Sequence, residues 1–169
     1  MKYDLTVVIL NYNGTTDTIA CLKSIDEQVT DYSIRIVVLD NDSKKENYAE
    51  LERYCQGRND FNICNLDNLR VDTDNDRYLV RSPENYGFAR GNNEICRRLI
   101  DESEYFLLLN NDTELEQDFF QIMLPACNRN ILYDSQSKQH HDHYTYLQSF
   151  DMSLEFSFQM IHDSPLQMH

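Results

Sequence analysis

Four continuous apolar runs, each followed by polar residues, constrain the fold of this 169-residue chain more than any other feature. They occupy residues 5–10, 34–39, 77–82 and 105–109, and the third of them is the weakest. A strand with one face in water alternates apolar and polar residues, whereas a strand buried on both faces is apolar throughout. The runs therefore predict a parallel sheet that is covered on both faces.

Helical patterns separate these runs. Apolar residues recur at helical spacing in Thr18–Gln28 and in Gly87–Ile100. Two patterns of the capping-box type, Ser43–Glu46 and Thr113–Glu116, predict that helices begin at those points. The resulting alternation of strand and helix predicts an α/β domain with right-handed crossovers.

The remaining segments are less regular. Residues 57–76 are expected to form a polar insert, with the DTDND sequence at 72–76 in a solvated loop. We expect one α/β domain over residues 1–126 and an atypical C-terminal tail over residues 127–169. Residues 154–160 alternate in polarity, so the tail is expected to be partly disordered or to contain an edge strand there.

Composition excludes several classes of protein. Hydrophobic residues make up 41% of the chain, which is enough for a core, and no apolar run approaches the roughly 20 residues of a membrane span. The net charge of −14 argues against general nucleic-acid binding, so a phosphate group would have to be bound locally. The N-terminus is typical of a strand rather than a signal peptide, and the five cysteines form no CxxC pair. We therefore expect reduced thiols and a cytoplasmic location.

Polar side chains follow three of the apolar runs. The sequences are NYNG at 11–14, DNDS at 40–43 and NNDT at 110–113. Ligands of open parallel sheets bind beyond the carboxyl ends of the strands. The three segments thus predict one site built by neighbouring loops, and three unrelated turns are the alternative.

The segments VVILNYNG, IVVLDNDS, SPENYGFARGNN and FLLLNNDTEL resemble, in order and spacing, four motif segments of inverting family-2 glycosyltransferases. The resemblance covers about residues 4–125 and is greatest to the rhamnosyltransferase-like branch. It implies the GT-A fold, a Rossmann-like and mostly parallel sheet flanked by helices. It also implies transfer of a sugar from a nucleotide diphosphate, UDP or dTDP being favoured, with Mg²⁺ or Mn²⁺ as cofactor. The acceptor would be a cell-surface polysaccharide or lipid-linked glycan at the inner face of a membrane, with peripheral membrane association.

The resemblance also implies roles for individual residues. Asp40 matches the acid that hydrogen-bonds the pyrimidine base, and its carboxylate can accept from N3–H of uracil or thymine. The alternative is that Asp40 caps a helix or shapes a turn. Asp112 occupies the place of the metal-binding acid, where a hard cation bridges the sugar diphosphate. The implied nucleotide and donor-binding residues are Asn11, Tyr12, Asp40, Asn85, Gly87, Arg90, Asn93, Asn110 and Asn111.

The general base that inverting transfer needs is not recognisable in the sequence. Relatives carry it downstream of the metal-binding segment, and no acid of the tail has the expected context. His140, His141 and His143 suggest a polar stretch rather than a metal site. We therefore expect a chain truncated after the Asp112 segment. A catalytically incomplete remnant or one part of a two-chain enzyme is the alternative, and a receiver-like phosphoacceptor domain is less favoured.

Overall fold

The computed structural model describes residues 3–69, 75–128, 145–149 and 159–161. It confirms the predicted alternation of strands and helices and adds a strand within the polar insert. The strands are β1 (Tyr3–Asn11), β2 (Ile34–Asp40), β3 (Phe61–Asn65), β4 (Arg77–Arg81), β5 (Ser103–Asn110), β6 (Thr145–Ser149) and β7 (Gln159–Ile161). The helices are α1 (Thr15–Asp26), α2 (Lys45–Gln56), α3 (Gly87–Leu99) and α4 (Phe119–Asn128).

The strands form one sheet in the order β3-β4-β2-β1-β5-β6-β7. The first five strands in this order are parallel, and β6 and β7 add to β5 in antiparallel fashion. The register pairs Asn11 with Asp40, Leu10 with Asn110, and Asp40 with Arg81. The carboxyl ends of β1, β2, β4 and β5 therefore meet at the same edge of the sheet.

Two apolar layers cover the sheet, one on each face. Val7 and Ile9 of β1 belong to the layer formed with α1, α2 and α4, whereas Val8 belongs to the layer formed with α3. Successive side chains of a strand point to opposite faces, so an uninterrupted apolar run supplies both layers. This arrangement is the physical reason why the runs in the sequence are continuous.

Three local expectations were wrong. The polar insert contains β3, which pairs with β4 at the edge of the sheet. Helix α4 begins at Phe119 rather than at Thr113, because the preceding loop packs on α1, where the Leu115 amide donates to the Ser24 hydroxyl at 2.9 Å. Helix α2 has Lys44 at its N-cap with no side-chain capping bond, since the Ser43 hydroxyl bonds to another loop.

Most of the C-terminal tail lies outside the described residues, including the histidines at 140, 141 and 143 and most of the proposed edge strand at 154–160. The DTDND sequence likewise falls outside them, apart from residues 75 and 76. Within the described part of the chain, no helix combines the length and apolar character needed to cross a membrane.

Candidate functional site

Asn11 and Asp40 join the loops that follow β1 and β2. Both side chains are fully buried, and the Asn11 amide nitrogen donates to Asp40 Oδ2 at 2.8 Å and to Ser43 Oγ at 3.2 Å. The Asn11 side-chain oxygen, Oδ1, accepts from the Thr18 hydroxyl at 2.9 Å and from the Gly14 amide at 3.2 Å. A buried amide with all these partners fixes the conformation of its loop.

The Asp40 carboxylate is occupied by protein groups on both oxygens. Oδ2 accepts from Asn11, while Oδ1 accepts from the Ser43 amide at 3.2 Å and lies 3.4 Å from Nη1 of Arg81. The Arg81 guanidinium stacks on the Tyr48 ring, 4.0 Å from its centroid, and donates to the Ser43 carbonyl. Burial, more than the neighbouring Glu52, raises the pKa of Tyr48. These are the contacts of a residue that shapes a turn, which is the alternative considered for Asp40.

A second set of bonds fastens the same two loops. The Asn13 amide donates to the Ser43 hydroxyl at 2.8 Å, and its side-chain oxygen accepts from the Lys44 amide and from the Asn47 side chain. Asn13 and Asp42 have φ of 58° and 63°, a region in which Asn and Asp are enriched among residues other than glycine. The two loops thus form one preformed unit.

Asn111 brings the end of β5 to this unit. Its amide nitrogen donates to the Gly14 carbonyl at 3.1 Å and to the Thr18 hydroxyl at 3.2 Å. A Cβ added at Gly14 would lie 2.3 Å from that nitrogen, so the Asn111 side chain would have to move away from these two partners. The three strand ends identified in the sequence therefore form one cluster rather than unrelated turns.

Asn41 attaches the fourth segment, which leads from β4 into α3. Its amide nitrogen donates to Asn85 Oδ1 at 2.9 Å, and its oxygen accepts from the Tyr86 amide at 2.9 Å. Asn85 Oδ1 also accepts from the amide of Gly87, whose φ is +71°. This segment leads to α3, on the opposite face of the sheet from α1 and α2. Asn41 therefore links loops that lead to opposite faces of the sheet.

Several of the residues that the resemblance implies for donor and metal binding are accessible to a ligand. Tyr12 is 53% exposed, and Asp112 is exposed at the loop after β5. The Arg90 side chain is 58% exposed, lies 3.4 Å from Glu84 and stacks on Tyr86. Asn93 and Asn110 are half-buried. Tyr12, Arg90 and Asp112 therefore offer exposed groups to a ligand, whereas Asn11, Asp40 and Asn111 hold the loops together.

The oxygen ligands at the end of β5 fit a cation that also binds the phosphates of a ligand. Asp112 offers an exposed carboxylate and Asn110 a neutral amide oxygen at the end of β5. Burial, and secondarily the negative charges of Asp112 and Glu114, raises the pKa of Cys21 to about 12, which keeps that thiol protonated at neutral pH. Among the described residues, no three or more His, Cys, Asp or Glu side chains are grouped so that they could hold a metal ion. One carboxylate completed by phosphate oxygens and water is a usual environment for Mg²⁺.

Sequence reasoning missed the role of Arg81 and assigned Ser43 to a helix cap. The only signal for Arg81 is its position at the end of a strand between two strand ends rich in polar residues. The role of Ser43 follows from the pairing of β1 with β2, which periodicity does not reveal.

The family model for glycosyl transferase family 2 matches residues 6–132, well over half of the chain. The chain therefore belongs to glycosyl transferase family 2. No curated protein sequence matches it significantly.

Several solved structures superpose on part of this chain. TarS 1–349 from S. aureus superposes with a TM-score of 0.53 at 16% identity, covering 76% of this chain and 33% of that one. TarS in complex with UDP-GlcNAc gives 0.51 at 17% identity, with coverage of 76% and 32%. The mannosyltransferase PcManGT from Pyrobaculum calidifontis, in complex with GDP-Man and Mn²⁺, gives 0.47 at 22% identity, with coverage of 66% and 28%. The fold is GT-A, and the chain spans about a third of the length of these proteins.

Proposed function

We propose that this chain is the donor-binding part of a glycosyltransferase that takes its sugar from a nucleotide diphosphate. The proposal rests on one observation. Hydrogen bonds of Asn11, Asn41 and Asn111 join the four segments that resemble family-2 motifs into one preformed edge of the sheet. A rigid edge with few exposed groups reduces the entropy that binding would otherwise cost. UDP- and dTDP-sugars are the favoured donors.

Each exposed group would contact a different part of the nucleotide-sugar donor. Tyr12 offers an aromatic face to the nucleoside. Arg90 and the backbone amides at the start of α3 offer hydrogen-bond donors to the diphosphate. Asn85 and Gly87 shape that helix start. Asn93 in α3 and Asn110 at the end of β5 are half-buried and would add amide groups to the donor site. Asn11, Asp40 and Asn111 serve the donor by keeping the loops in place.

Asp112, with Asn110 beside it, would hold Mg²⁺ or Mn²⁺. Such an ion stabilises the negative charge that develops on a departing diphosphate. The transfer itself would proceed with inversion to a polysaccharide or lipid-linked acceptor at the inner face of a membrane, as in the rhamnosyltransferase-like branch. We propose a cytoplasmic location on the same grounds.

Calorimetric titration of UDP, dTDP and GDP, first with Mn²⁺ and then with EDTA, tests this proposal. We expect the protein to bind a pyrimidine diphosphate and to lose at least tenfold in affinity when EDTA removes the metal. Asp112→Asn should abolish the difference between the two conditions, since it removes the charged ligand. Asp118→Asn removes the same charge from an exposed position before α4 and serves as the control. Binding that is equal with Mn²⁺ and EDTA, or no binding at all, would contradict the proposal.

A second candidate function is donor binding without turnover, in which the acceptor side comes from another chain. It is motivated by the sequence downstream of Asp112, in which no acid has the context expected of the general base. Incubating the protein with UDP-sugars and Mn²⁺ distinguishes the two. Release of UDP, even by slow hydrolysis, favours the enzyme, whereas tight donor binding with no release favours the second candidate.

A further inference from the structure

Helix α1 holds the loop that carries Asp112 at two points. On one side of Asp112, the Asn111 amide nitrogen donates at 3.1 Å and 3.2 Å to two oxygen atoms at the start of the helix. On the other side, the Leu115 amide donates to the Ser24 hydroxyl at 2.9 Å. Asp112 therefore lies in a short span of chain whose two ends are both fastened to the same helix.

Gln28 extends this attachment by one turn of the helix. Its side-chain nitrogen donates to the Glu116 carbonyl at 2.8 Å and to the Ser24 carbonyl at 3.3 Å. Ser24 is buried, and its hydroxyl donates to the Cys21 carbonyl at 2.8 Å, so the oxygen is left free to accept from the loop. Two neighbouring amino acids of the loop are thus bonded to side chains of α1.

The affinity for a cation depends on how Asp112 is held. Burial raises the pKa of Cys21 and the negative charge of Asp112 adds to this effect, so Asp112 lies near the part of α1 that carries Ser24. A cation bound by one carboxylate takes its remaining ligands from phosphate and water. A loop that is already fixed does not have to be ordered when the cation and the diphosphate bind. Fastening the loop to α1 therefore favours metal-dependent binding.

We infer that Ser24 and Gln28 are positioning residues for the metal-binding loop; the inference rests on the proposed function. They act through the backbone of Leu115 and Glu116, three and four residues after Asp112. Neither side chain needs to contact the donor for this role. Their loss should therefore weaken nucleotide binding in the presence of the metal and leave metal-free binding almost unchanged.

Ser24→Thr and Ser24→Val form a matched pair of variants. The two new side chains have nearly the same shape and a similar helix propensity, but only Thr keeps a hydroxyl, which in a helix can bond the carbonyl three or four residues earlier. The difference between the two variants therefore reports the bond to the Leu115 amide. Gln28→Met removes the donor and keeps a long unbranched side chain. Gln56→Met, at an exposed position at the end of α2, is its control.

The experiment is titration of UDP into the wild type and the four variants, with Mn²⁺ and with EDTA. The Kd in EDTA divided by the Kd in Mn²⁺ measures the metal-dependent part of binding. We expect Ser24→Val and Gln28→Met to lower this ratio by about fivefold, the loss expected if the backbone of one residue has to be ordered on binding. Ser24→Thr and Gln56→Met should keep the ratio of the wild type.

Hydrogen exchange of the Leu115 amide in the ligand-free protein tests the attachment by itself, and we expect faster exchange in Ser24→Val than in Ser24→Thr. Equal exchange in these two variants, or an unchanged ratio in Ser24→Val and Gln28→Met, would overturn the inference and leave the proposed function intact. A purely structural role would lower Tm, or weaken binding equally with Mn²⁺ and EDTA, and would overturn it too. If the wild type itself shows no difference between Mn²⁺ and EDTA, the proposed function fails and the inference fails with it.

Discussion

Replacing Asp40 by Ala tests whether this residue holds the loops together. The change leaves the Ser43 amide without its acceptor and removes the 2.8 Å partner of the Asn11 amide, which keeps only Ser43 Oγ at 3.2 Å. An unsatisfied buried donor costs about 1–3 kcal/mol, so the two donors together predict a loss of about 2–4 kcal/mol in the free energy of unfolding. The Arg81 guanidinium lies 3.4 Å from the fully buried carboxylate and would lose this partner as well, which adds to the cost.

Thermal and urea denaturation followed by circular dichroism measure this loss. For a chain of this size each kcal/mol lowers Tm by about 2–4 °C, so Asp40→Ala should melt about 5–15 °C lower than the wild type. Asp67→Ala, at an exposed position in the turn after β3, is the control and should change Tm by less than about 2 °C. A wild-type Tm in Asp40→Ala, together with a selective loss of UDP affinity, would refute the positioning role.

Two further predictions concern packing and pH. Gly14→Ala should lower the free energy of unfolding by about 1–3 kcal/mol, because its Cβ would meet the Asn111 amide nitrogen at 2.3 Å. In a double-mutant cycle, Gly14→Ala should cost much less when Asn111 is already Ala. If the effects of the two substitutions simply add, the contact does not cause the loss. Burial raises the pKa of Cys21, Cys55 and Cys96 from 9.0 to about 12. As pH rises, the unfolded chain therefore releases these protons before the folded chain does. The stabilisation that the protonated thiols contribute is fully present below about pH 9, and the free energy of unfolding falls as pH rises toward 12. Tm measured from pH 8 to 10.5 should fall less steeply in Cys21→Ala than in the wild type, and equal slopes would argue against this cause.

The sequence was sufficient for the parallel sheet and for the edge where the site lies. Continuous apolar runs report burial on both faces, and that property belongs to each strand separately. The polar strand ends at Asn11, Asp40 and Asn110 then predict a common edge, because parallel strands end on the same side. The structure confirmed both expectations, with the register pairing Asn11 with Asp40 and Leu10 with Asn110.

The tertiary structure decided which polar residues hold the site and which face a ligand. Asp40 and Asp42 are two positions apart and equally polar in sequence, yet one is fully buried among donors and the other is 48% exposed. The start of α4 likewise depends on a contact between Leu115 and Ser24, 91 positions apart. Periodicity describes residues near one another in the chain, whereas the partners of a polar side chain come from neighbouring strands. Their identity follows only once pairing brings those strands to a common edge.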